Sequence, residues 1–61
     1  MKEYKLYFFD AYGHVRRSMD MLRPNDEEAI AEAHIFASEY GLELWRGKYK
    51  VAALAGKPRD D

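Results

Sequence analysis

The stretch that decides the fold is residues 24–41, PNDEEAIAEAHIFASEYG. Asn25 can accept hydrogen bonds from the unpaired amides of a following helix, and Glu28 lies three residues on, where a capping-box partner belongs. Asp26 and its acidic neighbours suit the positive end of a helix dipole. Gly41 is placed to adopt the left-handed conformation that ends many helices. These signals predict a helix from about Asp26 to Tyr40.

Apolar residues within this stretch recur at the spacing of a single helical stripe. A helix with one apolar side must bury that side against another element, here a sheet. We therefore expect an amphipathic helix packed on one face of a sheet through the following residues. The stripe consists of Ala29, Ile30, Ala33, Phe36, Ala37 and Tyr40.

The chain before the helix predicts a β-hairpin. Tyr4 to Asp10 is rich in aromatic residues and alternates as a strand does, and Val15 to Leu22 forms the returning strand. Gly13 supplies the positive φ that the turn between them requires. The alternation places Tyr4, Leu6 and Phe8 on one face of the first strand and Lys5, Tyr7 and Phe9 on the other.

A second hairpin follows the helix, with a two-residue turn at Gly47-Lys48. This turn sets Arg46 opposite Tyr49 and Trp45 opposite Lys50, and regular pairing continues from there. We expect the set that faces the helix to be Leu42, Leu44, Val51 and Ala53. The opposite face of this hairpin would then carry Glu43, Trp45, Lys50, Ala52 and Leu54.

The order of elements predicts an α+β fold, ββαββ, in which a mostly antiparallel four-stranded sheet carries one helix. More than one strand order satisfies the helical connection, so the order stays open. The domain is expected to span residues 1–55, with residues 56–61 as a flexible C-terminal tail.

Size and composition indicate how the fold is stabilised and in which compartment the protein is expected. A chain of 61 residues buries a small core, and with no cysteine it has no disulfide to reinforce that core. Self-association is the remaining common support, so we expect a homodimer. The lack of cysteine, of a signal-peptide pattern and of a membrane-length apolar run favours a cytoplasmic protein with no membrane contact.

The net charge of −1 conceals three bands: residues 1–23 carry +2, residues 24–45 carry −6 and residues 46–61 carry +3. A total near zero speaks against non-specific binding to nucleic acid. The basic flanks nevertheless leave room for a local basic patch.

One helix covers one face of the sheet, so the second face is the expected binding surface. Aromatic residues at its centre, surrounded by charges, have the composition of an interface. The expected binding residues are Lys5, Tyr7, Phe9, Trp45 and Lys50.

Three interpretations of that face compete. The leading one is a homodimer interface in a non-enzymatic interaction module. A different protein is a further candidate partner for the same face. The alternative is single-stranded RNA binding, with Tyr7, Phe9 and Trp45 stacking on bases and basic side chains near phosphates. Those basic side chains would be Lys5, Arg16, Arg46 and Lys50. The third is that pairing slips by one residue and the aromatics are core.

Catalytic and metal-binding patterns are missing from the sequence. His14 and His34 have no recognised metal-ligand spacing, and neither belongs to a nucleophile motif. The glutamates Glu27, Glu28, Glu32 and Glu39 are better explained as a solvated helix face than as an acid–base set. We therefore expect no enzymatic activity, no metal and no cofactor.

Two segments carry a resemblance: residues 4–15, YKLYFFDAYGHV, and residues 42–52, LELWRGKYKVA. Together with the acidic helix, they resemble a group of short bacterial proteins of unknown function. In that group an aromatic strand ending Asp-x-x-Gly-His/Arg-Ile/Val precedes a helix and a Glu-Leu-Trp-x-Gly hairpin. Tyr12 departs from the small residues commoner in that turn. The resemblance implies this order of elements in a bacterial cytosol, and it supplies no activity, cofactor or site residue.

Overall fold

The structure, a computed structural model, describes residues 1–36 and 39–56. It confirms the α+β class and the ββαββ order. The elements are β1 (Lys2–Phe9), β2 (Val15–Arg23), α1 (Asp26–Ile35), β3 (Leu42–Arg46) and β4 (Tyr49–Leu54).

The four strands form one sheet in the order β2-β1-β3-β4, and every neighbouring pair is antiparallel. The two hairpins therefore lie side by side, joined through β1 and β3. This order fits the sequence of β1, because an inner strand has neighbours on both sides and β1 carries apolar side chains on both faces. The strands β2 and β4 form the edges.

The core lies between one face of the sheet and α1. Its centre comes from the strand positions that alternate towards the helix, and two alanines of α1 let the helix backbone approach closely. Arg17 extends this cover, since its guanidinium carbon lies 4.6 Å from the centre of the Phe8 ring. The buried residues are Tyr4, Leu6, Phe8, Met21, Ala29, Ala33, Leu42 and Leu44.

The helix begins as predicted and ends earlier than predicted. The Asn25 side chain accepts a hydrogen bond of 2.9 Å from the Glu28 amide, which confirms the N-cap. The last helical residue is Ile35, because the Phe36 amide is shared between the carbonyls of Glu32 and Ala33 and the last turn tightens there. Ala37, a member of the predicted stripe, lies outside the described residues.

Gly41 has the predicted positive φ of 91°, but it does not cap the helix, whose C-cap is Phe36. It lies instead at the entry to β3, where its carbonyl accepts a hydrogen bond from the Phe9 amide. A Cβ at Gly41 would lie 2.7 Å from the Leu54 carbonyl oxygen, so the site requires glycine for space as well as for conformation.

Gly56, the first residue of the predicted tail, has a similar role. A Cβ there would collide with the Glu39 carbonyl. The backbone after β4 thus passes directly against the backbone before β3. Residues 57–61 of the predicted tail lie outside the described part of the chain.

The pairing of β3 with β4 corrects part of the predicted register. Arg46 opposite Tyr49 and Trp45 opposite Lys50 are confirmed, but a β-bulge at Val51 shifts the rest. The predicted pairs of Leu44 with Val51 and Leu42 with Ala53 are therefore wrong.

The bulge also changes which residues of β4 face the helix. Ala52 and Leu54 lie opposite Leu44 and Leu42, and both pack against the core, although alternation without a bulge placed them on the other face. Ala53 lies opposite Glu43 and is exposed. Val51 still packs against the core, as predicted.

A polar contact ties the start of α1 to the sheet. The Tyr4 hydroxyl donates a hydrogen bond of 2.5 Å to Asp26 Oδ1, and Arg46 Nη1 lies 3.4 Å from the same oxygen. Burial raises the pKa of the Tyr4 hydroxyl above its ordinary value, and the hydrogen bond to Asp26 raises it further. The contact fixes where the helix begins over the sheet.

Candidate interaction surface

The sheet face opposite α1, named the open face here, begins with alternate residues of β1. Lys5, Tyr7 and Phe9 point away from the core, because Tyr4, Leu6 and Phe8 between them are buried. Tyr7 and Phe9 are half-buried and Lys5 is exposed. The face predicted for these three residues is the one they occupy.

Strand pairing arranges the open face in rows that run across all four strands. One row consists of Asp20, Lys5, Trp45 and Lys50, and the next consists of Ser18, Tyr7, Glu43 and Ala53. Phe9 lies opposite Val15 at one end of the face, and Glu3 lies opposite Leu22 at the other. The structure thus brings all five predicted binding residues onto one surface.

The two largest side chains of the rows contact each other at the centre. The rings of Tyr7 and Trp45 have centroids 6.4 Å apart and an interplanar angle of 87°. This edge-to-face arrangement is favourable for aromatic pairs, and it holds both rings in place on the sheet. The centre of the open face is therefore aromatic and largely apolar.

Glu43 organises the charges beside this centre. Its Oε1 accepts a hydrogen bond of 3.0 Å from Trp45 Nε1, and its Oε2 lies 3.3 Å from Lys50 Nζ. Lys50 Nζ also lies 5.9 Å from the centre of the Trp45 ring. On the other half of the face, Lys5 Nζ lies 3.5 Å from Asp20 Oδ1.

The paired positions of the open face carry no excess of positive charge. Each lysine has a carboxylate partner within 4 Å. Glu3 adds a further carboxylate, so three acidic groups stand against two basic ones.

The two halves of the face differ in shape. An open groove of about 710 Å³ lies along β1 and β2 and reaches Gly47 in the turn between β3 and β4. The bulky Trp45 stands on the β3–β4 half. The groove is lined by Glu3, Tyr4, Lys5, Tyr7, Asp20, Met21, Leu22, Arg23 and Gly47.

Sequence reasoning missed Asp20 and Ser18 as members of this surface. Regular pairing from Phe9 opposite Val15 would set Lys5 opposite Met19. A β-bulge at Arg16 moves the register by one residue, so Lys5 lies opposite Asp20. Opposite charges on the facing strands were the one available signal, since such pairs stabilise a register.

No group of three or more His, Asp or Glu side chains within residues 1–36 and 39–56 is arranged to hold a metal ion. In the same residues, no helix is both long enough and apolar enough to cross a membrane.

Comparison of the chain with models of protein families, with curated proteins and with solved structures found no match.

Proposed function

We propose that this domain is a non-enzymatic interaction module that self-associates through the open face. The observation that carries the proposal is the Tyr7–Trp45 pair at the centre of the sheet face opposite α1. Rigid aromatic side chains give large contact area at low entropic cost, and such residues dominate interface energies.

The edges of the sheet are poorly suited to pairing with another chain. Both edge strands carry a β-bulge, at Arg16 in β2 and at Val51 in β4. Bulges and charged residues on edge strands are the devices by which proteins prevent edge-to-edge pairing. This favours association through the face.

The charges of the face favour a protein partner over RNA. Phosphate binding requires basic groups that are free to replace counterions. Lys5 and Lys50 each lie beside a carboxylate, so neither can bind a phosphate without giving up that partner. A second copy of the chain carries both lysines and carboxylates, so the carboxylates of the face do not oppose its binding.

The small size of the face limits the expected affinity. Four strands about 4.8 Å apart, with about five residues each, present a flat area of roughly 300–400 Å². Stable complexes bury about 800 Å² per partner, so we expect a dissociation constant in the micromolar range or weaker.

The test is the mass of the chain as a function of concentration, measured by sedimentation from about 1 μM to about 1 mM, a range that covers micromolar and submillimolar dissociation constants. We expect the mass to rise towards twice the monomer value and the Trp45→Ala variant to remain monomeric at all concentrations. Tyr49→Ala is the matched control, because Tyr49 is 64% exposed and lies opposite Arg46, whose side chain points to the helix side. This variant should associate like the unsubstituted chain.

A second arm measures binding of labelled single-stranded RNA at low salt, where phosphate contacts are strongest. We expect no RNA binding with a dissociation constant below the millimolar range. A monomeric mass at every concentration would overturn the proposal, and RNA binding lost in Trp45→Ala would replace it with the nucleic-acid alternative.

A further inference from the structure

We propose that the two copies pack face to face about a two-fold axis that runs parallel to the strands, between β1 and β3. This arrangement rests on the proposed self-association and specifies its geometry. It places β2 of one copy over β4 of the other and β1 over β3. Each row of the open face then meets the same row of the partner in reverse order.

The reversal brings opposite charges together. In the row Asp20, Lys5, Trp45, Lys50, the carboxylate of Asp20 meets the Lys50 ammonium of the other copy. Lys5 meets the Trp45 ring of the other copy, which is a favourable cation–π contact. Both contacts occur twice, because the interface is isologous.

The neighbouring row is also compatible. Tyr7 meets Glu43 of the other copy, so its hydroxyl has a carboxylate acceptor, and Ser18 meets Ala53. No two like charges meet in either row.

The other two-fold axis within the interface, perpendicular to the strands, is less complementary. It exchanges the two rows, so that Asp20 meets Ser18 and Lys50 meets Ala53. Neither charge of the outer strands then gains a partner. Charge complementarity therefore selects the axis parallel to the strands.

Shape points the same way. The groove on the β1–β2 half lies beside Lys5, Tyr7 and Asp20, whereas Trp45 and Lys50 stand on the β3–β4 half. The parallel axis sets the β3–β4 half of one copy over the β1–β2 half of the other. Trp45 and Lys50 of each copy thus enter the groove of its partner.

The two ion pairs of the face within one copy, Lys5–Asp20 and Lys50–Glu43, do not prevent this exchange, because both lysine side chains are about half-exposed. Asp20 is 81% exposed and the Lys5–Asp20 pair is a surface ion pair, a kind that contributes little to stability. Aligned sheets cross at about 30°, which displaces facing residues of the outer strands by about 4 Å. The long lysine side chain spans such an offset.

A charge-swap experiment tests the axis. Asp20→Lys and Lys50→Asp each place like charges opposite each other twice per dimer, so each variant alone should have a dissociation constant raised at least about tenfold. When the two variants are mixed, each new lysine faces a new aspartate in the other chain. We expect the mixture to associate within a few-fold of the unsubstituted chain.

The matched control pair is Glu27→Lys and Lys48→Asp, which reverses the same charges at exposed positions outside the open face. Neither variant nor their mixture should change the dissociation constant more than about twofold. Each variant is checked for a cooperative thermal transition, so that weakened folding is separated from weakened association.

A second measurement does not depend on charge. The chain has no cysteine, so Ser18→Cys and Ala53→Cys introduce single reactive sites at exposed positions. Packed sheets lie about 10 Å apart, a span that a short bismaleimide bridges. We expect the mixture of the two variants to cross-link to a heterodimer much faster than either variant alone.

The outcomes separate the two proposals. Rescue in the charge-swap mixture together with fast Ser18→Cys to Ala53→Cys cross-linking supports the parallel axis. A dimer without rescue and without preferential cross-linking overturns this axis and leaves self-association standing. A monomeric unsubstituted chain overturns both.

Discussion

Two glycines allow the segment before β3 and the segment after β4 to lie directly against each other. Gly41 and Gly56 leave room for backbone atoms of the opposite segment, where any side chain would collide. The sequence pattern predicts the positive φ of Gly41, but it does so for a helix cap and not for this close approach. Gly56 is not recognisable in the sequence, since it stands before a charged stretch with no periodicity, and only the fold shows what it contacts.

We expect Gly56→Ala to lower the free energy of unfolding by about 1–3 kcal/mol, because the new methyl group would overlap the Glu39 carbonyl. Urea denaturation measures the change. Ala55→Ser, an equally small addition at the exposed neighbouring residue, should change stability by less than about 0.5 kcal/mol. Equal stability of Gly56→Ala and the unsubstituted chain would show that the two segments do not lie this close.

The helix cap is a second contribution of one side chain. Asn25→Ala removes the acceptor of the Glu28 amide and should cost about 1 kcal/mol, which for a chain this small lowers Tm by roughly 4–8 °C. Asn25→Asp keeps an acceptor and should stay within about 0.5 kcal/mol of the unsubstituted chain. If both substitutions cost the same, the side-chain hydrogen bond is not the source of the stability.

At the scale of the elements, the turn between β1 and β2 is held by one carboxylate. Asp10 Oδ1 accepts hydrogen bonds from the backbone amides of Tyr12 (2.8 Å) and His14 (2.9 Å). The His14 amide, with help from the Tyr12 amide and against a smaller effect of burial, holds the pKa of Asp10 below its ordinary value of 3.8.

A depressed carboxylate pKa means that the folded chain binds fewer protons than the unfolded chain, so the free energy of unfolding decreases as the pH is lowered. The contribution of Asp10 is complete well above pH 3.8 and is lost as the pH falls through the depressed pKa. We expect Asp10→Ala to be less stable at pH 7 and to lose less stability between pH 7 and pH 2 than the unsubstituted chain. Urea titrations at both values measure this.

Asp10→Asn refines the experiment, because it keeps the acceptor oxygen and removes the ionisation. It should retain more stability at pH 7 than Asp10→Ala and show the same weak pH dependence. An unchanged pH dependence in both variants would contradict the assigned hydrogen bonds.

The element scale also shows why the register was only partly predictable. Alternation, caps and turn residues give the ββαββ order and the face of β1, because these depend on local chemistry. The positions of the two bulges do not follow from local chemistry. They set Ala52 rather than Val51 opposite Leu44, and Asp20 rather than Met19 opposite Lys5.

The five predicted binding residues still lie on one face despite the two bulges, and the reason is physical. Lys5, Tyr7 and Phe9 lie on an inner strand without a bulge, and Trp45 and Lys50 lie on the turn side of the Val51 bulge, where counting from Gly47-Lys48 is still correct. Strand order was not predictable, because the helical connection admits several arrangements.

At the scale of the whole molecule, association should stabilise the fold. A partner that binds only folded chains adds stability by mass action. At about ten times the dissociation constant this amounts to about 1.4 kcal/mol, which raises Tm by roughly 5–10 °C for a domain of this size.

We therefore expect Tm, measured by circular dichroism, to rise with protein concentration in the unsubstituted chain and to stay constant in Trp45→Ala. Tyr49→Ala should behave like the unsubstituted chain. A Tm that is independent of concentration in all three chains would mean that folding and association are not linked.

The most direct test of the central claim uses the single tryptophan as its own reporter. Trp45 is half-buried in one copy and becomes shielded from water when the open face is covered. Fluorescence measured on dilution from about 1 mM to about 1 μM, across the expected dissociation constant, should shift to longer wavelength as the dimer separates. An emission maximum that stays constant over this range would contradict an interface at Trp45.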